Sequence, residues 1–511
     1  MPIGSSLMDP RSPMTRRQAL AVGLGATGSM LLGGGAAGAQ PPGAPGAAAN
    51  VLGYWGSSPG STSGVPSGLH GGMVATDLEV VTVTDTSVTF SWATLHGPRL
   101  PYGPEQQTVP ADSEVLLGPA DARGPLRVVH YDAAPRGVHL VTITGLEPGR
   151  EYAFECRSHG VRAQASLVGT NQAWSPERTG RVTTLTPPSG RRISTIAILN
   201  DTHVGETRHG IIVNDMPTPI TQRQSLPPYA EVMLVGALTE LRARRPDTLI
   251  VNGDCTDEAR PAEVQTFRRI MDGYGRFGVD WNVTRGNHDR PHRPAQDPGA
   301  GYESVPVLDG TADHRDVWGA EFVPRQELWT TDVGNLRILG VDSCMLDASG
   351  GEILPGQMDQ IASTLQADPD RPTILFAHHP VTEEAARTNV GQRGFVLNQS
   401  DSITLQTHLA HAPGVFLMGA GHTHRARRTA PDRAPGVDFV ETGATKAYPG
   451  GYTLLTLFEG GYMVNFHRIA HEHAIEWTSR SRWGAYGLEA EYLLGTTDHR
   501  NYVVHRDLSG L

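Results

Sequence analysis

The chain has 511 residues, 38% of them apolar, and a formal net charge of −11. At about 100 to 200 residues per domain this suggests two or three packed cores, and the acidic balance argues against a nucleic-acid or anionic-membrane binder. Three cysteines, Cys156, Cys255 and Cys344, are too few for a disulfide framework and match no zinc-ribbon spacing. They read as small buried hydrophobes, with a Cys255–Cys344 bridge as the alternative.

In chain order the first signal is Thr15-Arg16-Arg17-Gln18-Ala19-Leu20, a weakly apolar glycine-rich stretch, and then Ala37-Gly38-Ala39, a small-x-small cleavage pattern. The combination resembles a twin-arginine export signal over residues 1–39. A stable membrane anchor is the competing reading, and it fails because residues 19–39 contain seven glycines. The expectation is an exported protein, in the periplasm or cell envelope or secreted. Residues 40–75, dominated by Ala, Pro, Gly and Ser, read as a linker.

Over residues 76–188 the pattern becomes one of short alternating strands: LEVVTV, SVTFSWAT, VHLVTITGL, REYAFECRS and GRVTTLT. Such spacing suggests an antiparallel β-sandwich. Trp92, and Tyr152 after Leu146-Glu147-Pro148-Gly149, resemble the fibronectin type III pattern, and the amino-terminal domain of purple acid phosphatases is similar. No run of catalytic residue types lies in this stretch, so its part is spacing, substrate orientation or packing, with carbohydrate or surface binding as the sharper alternative.

Pro187-Pro188-Ser189-Gly190 marks a boundary, after which strands alternate with helical patterns over Tyr229 to Arg244, Ala262 to Met271 and Gly356 to Gln366. This predicts a layered α/β domain over residues 193–468. Late strands DFVETG, TLLTLF and YMVNFH have no helices between them and suggest a second, partly antiparallel sheet. Residues 469–511, with Trp477, Trp483 and Tyr486, read as a packing tail.

Five apolar runs, IAILN, TLIVN, WNVTR, TILFA and VFLMG, each stop at a polar cluster. The clusters are Asp201-Thr202-His203, Gly253-Asp254, Gly286-Asn287-His288-Asp289, His378-His379-Pro380 and Gly421-His422-Thr423-His424. Any one of them reads as well as a helix cap, a turn or a satisfied core histidine. Together they are different, because loops leaving the carboxyl ends of parallel strands meet in one crevice. Carboxylate, amide and imidazole donors without thiolate suit Mn, Fe or Zn.

The order and spacing, D-x-H, GD, GNH(D/E), a His before x-Pro and GHxH, resemble the calcineurin-like metallophosphoesterases over about residues 193–468. The resemblance implies a multidomain chain, a fibronectin III-like β-sandwich followed by a layered α/β (α/β/β/α) phosphoesterase domain. It implies two divalent ions, with Asp201, His203, Asp254 and His424 holding one and Asp254, Asn287, His378 and His422 the other. It implies hydrolysis of small phosphate mono- or diesters by attack of a metal-bound hydroxide. His288 would face the substrate, stabilising charge or protonating the leaving group, with Asp289 as its partner. His379 is either a support for the ligands or a substrate contact.

Arg285, Arg425 and the Pro-rich insertion 204–228, with Arg208, His209 and Asn214, are further candidates for substrate contact; exposed surface positions are the alternative. His292, His471 and His473 are read as non-functional. Asp257 stands where purple acid phosphatases place an iron-binding Tyr, so no tyrosinate colour is expected. GNHD in place of GNHE leans towards phosphodiesterases. The alternatives are an acid phosphatase of the purple type and, from another class, a non-catalytic exported binding protein with a structural metal site.

Overall fold

The computed structural model describes residues 72–97, 107–122, 124–166, 172–211, 217–293, 303–304, 316–322, 328–345 and 348–511. The expected export signal, most of the expected linker and Asn214 lie outside these residues. The chain divides into two units. One takes in the described residues up to Pro187 with Tyr486–Glu491, and the other Pro188–Ala485 with Tyr492–Leu511.

The first unit holds β1 (Met73–Val83), β2 (Ser87–His96), β3 (Ala111–Pro119), β4 (Arg127–Arg136), β5 (Val138–Thr144), β6 (Glu151–Ser158), β7 (Val161–Arg162) and β8 (Arg181–Thr183). They pair as β1-β2-β5 and as β4-β3-β6-β7 with β8 on β6. Along β6, Tyr152, Phe154, Cys156 and Ser158 alternate inward, the period of two that a half-buried strand requires. The apolar members meet Val80, Phe90 and Trp92 of the other sheet in one core. The Trp92 indole N–H donates to Ser158 Oγ at 2.9 Å, and Glu147 N donates to the Tyr152 hydroxyl at 2.9 Å. Strands β3 and β4 were not among those expected. β4 is exposed or half-buried along its whole length, so it carries no apolar alternation to read.

The second unit contains β9 (Arg192–Leu199), β10 (Thr248–Asn252), β11 (Trp281–Thr284), a short ribbon of β12 (His292–Arg293) and β13 (Glu303–Ser304), β14 (Leu328–Val333), β15 (Leu336–Val341), β16 (Thr373–Ala377), β17 (Val415–Ala420), β18 (Arg427–Thr429), β19 (Asp438–Glu441), β20 (Gly451–Phe458), β21 (Gly461–Arg468) and β22 (Asn501–His505). Two six-stranded sheets result, ordered β11-β10-β9-β20-β21-β22 and β14-β15-β16-β17-β19-β18. Alternation along the central strands explains the layering. Ile196, Ile198 and Ile250 of one sheet share a core with Ile338, Ile374 and Phe376 of the other. Their neighbours Ala197, Leu199, Leu249 and Val251 turn outward onto helices α1 (Tyr229–Arg244), α2 (Pro261–Tyr274) and, later in the chain, Glu472–Ser481. Leu339, Val341, Leu375 and Ala377 do the same against α3 (Pro355–Ala367) and α4 (Gln399–Ala410). The unit is therefore a helix, sheet, sheet, helix stack with strands covered on both faces.

The late strands do not form a sheet of their own. DFVETG gives β19, parallel to β17, whereas TLLTLF and YMVNFH give β20 and β21, which extend the first sheet with β20 antiparallel to β9. Leu454 packs on one side of β20 and Leu455 and Leu457 on the other; such two-sided burial demands an interior place. The tail is part of this stack too, since β22 pairs with β21 and Trp477 of helix α5 (Glu472–Ser481) is buried. No helix among the described residues is long and apolar enough to cross a membrane.

Candidate metal centre

Strands β9, β10, β11, β16 and β17 are the five apolar runs, and all five polar clusters follow their carboxyl ends. Three belong to one sheet and two to the other. Asn252, the last residue of β10, joins the sheets there: its side-chain amide donates to the Ala377 carbonyl at 3.1 Å, and its own carbonyl accepts from His378 Nδ1 at 2.9 Å.

The backbone turns sharply at three of the five clusters. Asp201, His203, Asp254, His422 and His424 have φ of 51°, 40°, 50°, 66° and 57°. Left-handed backbone in such residues is a strained state that persists where surrounding structure over-determines it, and Asp and His tolerate it better than most. The motif glycines answer to close approach. A Cβ on Gly253, at φ 86°, would lie 2.4 Å from His378 Nδ1, and one on Gly286 would lie 2.2 Å from Asp254 N.

Two groups of ligand-type atoms result, each with its members within 4.8 Å of one another: Asp201, His203, Asp254 and His424, and Asp254, His378 and His422. Asp254 is common to both. Its Oδ2 lies 3.5 Å from His203 Nε2 and 3.1 Å from His378 Nε2, while Oδ1 accepts from His288 N at 2.9 Å. Asp201 Oδ1 lies 3.6 Å from His424 Nε2 and accepts from His422 N at 3.1 Å. Among the described residues, Asp201 Oδ2, Asn287 Oδ1, His378 Nε2 and both ring nitrogens of His203 and His422 are buried without a hydrogen-bond partner. Leaving so many buried polar atoms unsatisfied is costly, and divalent cations fit the donor set.

Electrostatics point the same way. Burial lowers His378, but the carboxylate of Asp254 overrides it and raises this imidazole from its ordinary 6.5 to about 9. Burial, reinforced by Asp254, pushes Asp201 up to about 7. Burial also raises Asp254, yet His378 and His288 outweigh it and hold that carboxyl well below the usual range. The carboxylates thus draw positive charge into the site. Burial, with Lys446 second, lowers His203 and His424, which favours the neutral imidazole that ligates metals.

Several expected roles change. The Asp289 carboxylate accepts from Gly286 N at 2.9 Å, Cys255 N at 3.1 Å, Thr256 N at 2.9 Å and Thr256 Oγ1 at 2.8 Å. It ties the Gly286 turn to the Asp254 loop, whereas His288 Nδ1 donates to the Asp257 carbonyl at 2.6 Å. Arg285 and Arg425 are buried rather than presented to a substrate. Arg285 donates to Asp316 at 2.8 Å, and Arg425 forms a two-point pair with Glu441 at 2.8 and 2.7 Å. His379 is fully buried, its Nδ1 2.9 Å from Ser343 Oγ and its ring tilted at 49° to that of His422, 4.7 Å away. His209 of the insertion turns inward, its ring beside Tyr229 and Trp477. His471 and His473 lie beside each other, outside every ligand group found among the described residues. The three cysteines are free and buried, with Cys344 Sγ donating to the Arg285 carbonyl at 3.1 Å.

Sequence reasoning missed three residues here. Asp257, treated only as the absence of a tyrosine, forms a third close group with His203 and His288. Glu206 and Lys446 are buried against each other next to His203. Neither sits in a motif, and only a carboxylate three residues beyond a candidate ligand hinted at Glu206.

A four-layer α/β stack with histidines and carboxylates gathered at its strand ends is an arrangement that can hold divalent metal ions. Residues 194–426, somewhat less than half of the chain, match the family model described as Calcineurin-like phosphoesterase. A protein named as a probable cyclic nucleotide phosphodiesterase, from Synechococcus sp., is 26% identical over 191 residues, which are 36% of this chain and 61% of that protein. Another of the same name, from Rhodococcus erythropolis, is 28% identical over 138 residues, 27% of this chain and 39% of that one. The chain thus spans less than two thirds of the length of either relative. A purple acid phosphatase from seeds of yellow lupin, Lupinus luteus, is similar at 16% identity and a TM-score of 0.38, over 78% of this chain and 73% of that one, a likeness too slight to bear on function.

Proposed function

We propose that the protein is an exported phosphoesterase that hydrolyses small phosphate mono- or diesters with two divalent ions, Mn, Fe or Zn. The observation that carries this reading is the single Asp254 oxygen between His203 and His378, each belonging to its own ligand group. Asp201, His203, Asp254 and His424 would hold one ion, and Asp254, Asn287, His378 and His422 the other. Such a pair supplies Lewis acidity at phosphorus and acidifies the attacking water.

The chain's own groups supply the rest. The Asp257 carbonyl accepts the His288 Nδ1 proton, so that a second proton, taken up on Nε2, is the one His288 would give to the leaving oxygen. Asp289 holds the His288 turn against the Asp254 loop, so it acts through position rather than as a proton carrier. The amino-terminal unit is read as a fibronectin III-like sandwich, supported by two sheets around one core and by the Tyr152 hydroxyl bonded back to Glu147. Its part is spacing or substrate orientation.

Turnover of a nitrophenyl phosphate monoester and a bis-nitrophenyl diester, with Mn, Zn and chelator arms, tests the reading. Chelator-sensitive release from one or both is expected. No such release from either would favour a binding protein with a structural metal site. A purple preparation would restore the iron phosphatase, against the Asp257 that stands in the tyrosine's place.

A further inference from the structure

A metal-ligating imidazole needs its second ring nitrogen held, because that bond fixes the tautomer and the aim of the first. His378 has such a hold in the Asn252 carbonyl. For His203, Nε2 lies 3.5 Å from Asp254 and Nδ1 lies 3.4 Å from Glu206 Oε2, ion-pair distances without a hydrogen bond, and Glu206 is the carboxylate placed to hold Nδ1. Glu206 comes back onto the ring through a tight turn, in which Glu206 N donates to the His203 carbonyl at 3.0 Å and Gly205 takes a φ of 107°.

A buried carboxylate needs compensation. Lys446 provides it, its Nζ donating to Glu206 Oε2. Glu206 is 8% exposed and Lys446 5%, so neither is a solvated surface charge. The lysine is itself anchored: its backbone N donates to the Asp201 carbonyl at 3.2 Å, and its carbonyl accepts from Trp477 Nε1 at 3.0 Å. One cation therefore links the Asp201 loop, the turn after His203 and the helix carrying Trp477.

We propose that Glu206, clamped by Lys446, is the positioning carboxylate for His203 and governs how tightly the ion held by Asp201, His203, Asp254 and His424 is retained. This rests on the two-ion reading above. The test is Mn2+ titration of the full chain, with bound metal counted by elemental analysis. The parent should take up about two equivalents per chain. Glu206→Ala should bind one of them about 100-fold more weakly and Glu206→Gln, which keeps an acceptor oxygen, about tenfold, within the range for outer partners of metal ligands. The other ion should be unchanged in both. If Glu206→Ala does not fold, Glu206→Gln decides alone. Parent-like uptake in the variants, or equal weakening of both ions, overturns the positioning role but leaves the two-ion reading standing. A parent chain that takes up no Mn2+ overturns both.

Discussion

His288 and His139 show how burial and one neighbour give two histidines opposite fates. His288 sits beside the candidate ligands with its Nδ1 proton on a carbonyl. Its replacement in His288→Ala is expected to lower kcat by about 10²- to 10⁴-fold, the range of a general acid or base, while metal content stays at the parent level. Unchanged kcat would remove it from the chemistry. His139, in the amino-terminal unit, is fully buried, stacks on Trp92 at 4.7 Å and meets Ser113 Oγ at 2.7 Å. Burial lowers it from the ordinary 6.5 to about 3. The unfolded chain therefore binds a proton that the folded one refuses, so its contribution is fully present above about pH 6.5 and is lost as pH falls towards 3. Urea midpoints between pH 7 and 4 should fall more steeply for the parent than for His139→Gln. Equal slopes would contradict the assignment.

At the scale of elements, the strand-end loops are held by ion pairs that looked like substrate contacts. Glu441, at the end of β19, accepts from Thr423 Oγ1 at 2.5 Å and from Arg425 at two points, so it grips both residues flanking His424. Breaking a buried pair from one side leaves the other charge uncompensated, at a cost of about 3 to 5 kcal/mol. Arg425→Met should lose that much in urea unfolding with KM for a phosphate ester unchanged. A raised KM at parent stability would return Arg425 to the substrate. The motif alone had no means to tell these outcomes apart, because Glu441 lies 16 residues from Arg425.

For the whole molecule, the stretch after residue 468 belongs to the second unit except for Tyr486–Glu491. Its β22 covers β21, Trp477 is fully buried in the core on the outer face of the first sheet, and Tyr502 lies in the core between the sheets. A chain ended at residue 470 should therefore lose cooperative unfolding and soluble yield, checked by thermal melts. Parent-like melting would make the tail dispensable.

By itself the sequence determined the five strand ends that carry the polar clusters and the helices that follow the early ones. Strands buried on both faces leave uninterrupted apolar runs, and metal chemistry admits few residue types, so both signals are local. Only the tertiary structure decided that β19 joins one sheet and β20 and β21 the other, that Asp289 ties the Gly286 turn to the Asp254 loop, and that Glu206 meets Lys446 across 240 residues. Each of those depends on a partner distant in the chain, and hydrophobic period and motif spacing carry no information about which distant residue a buried charge or a strand edge will find.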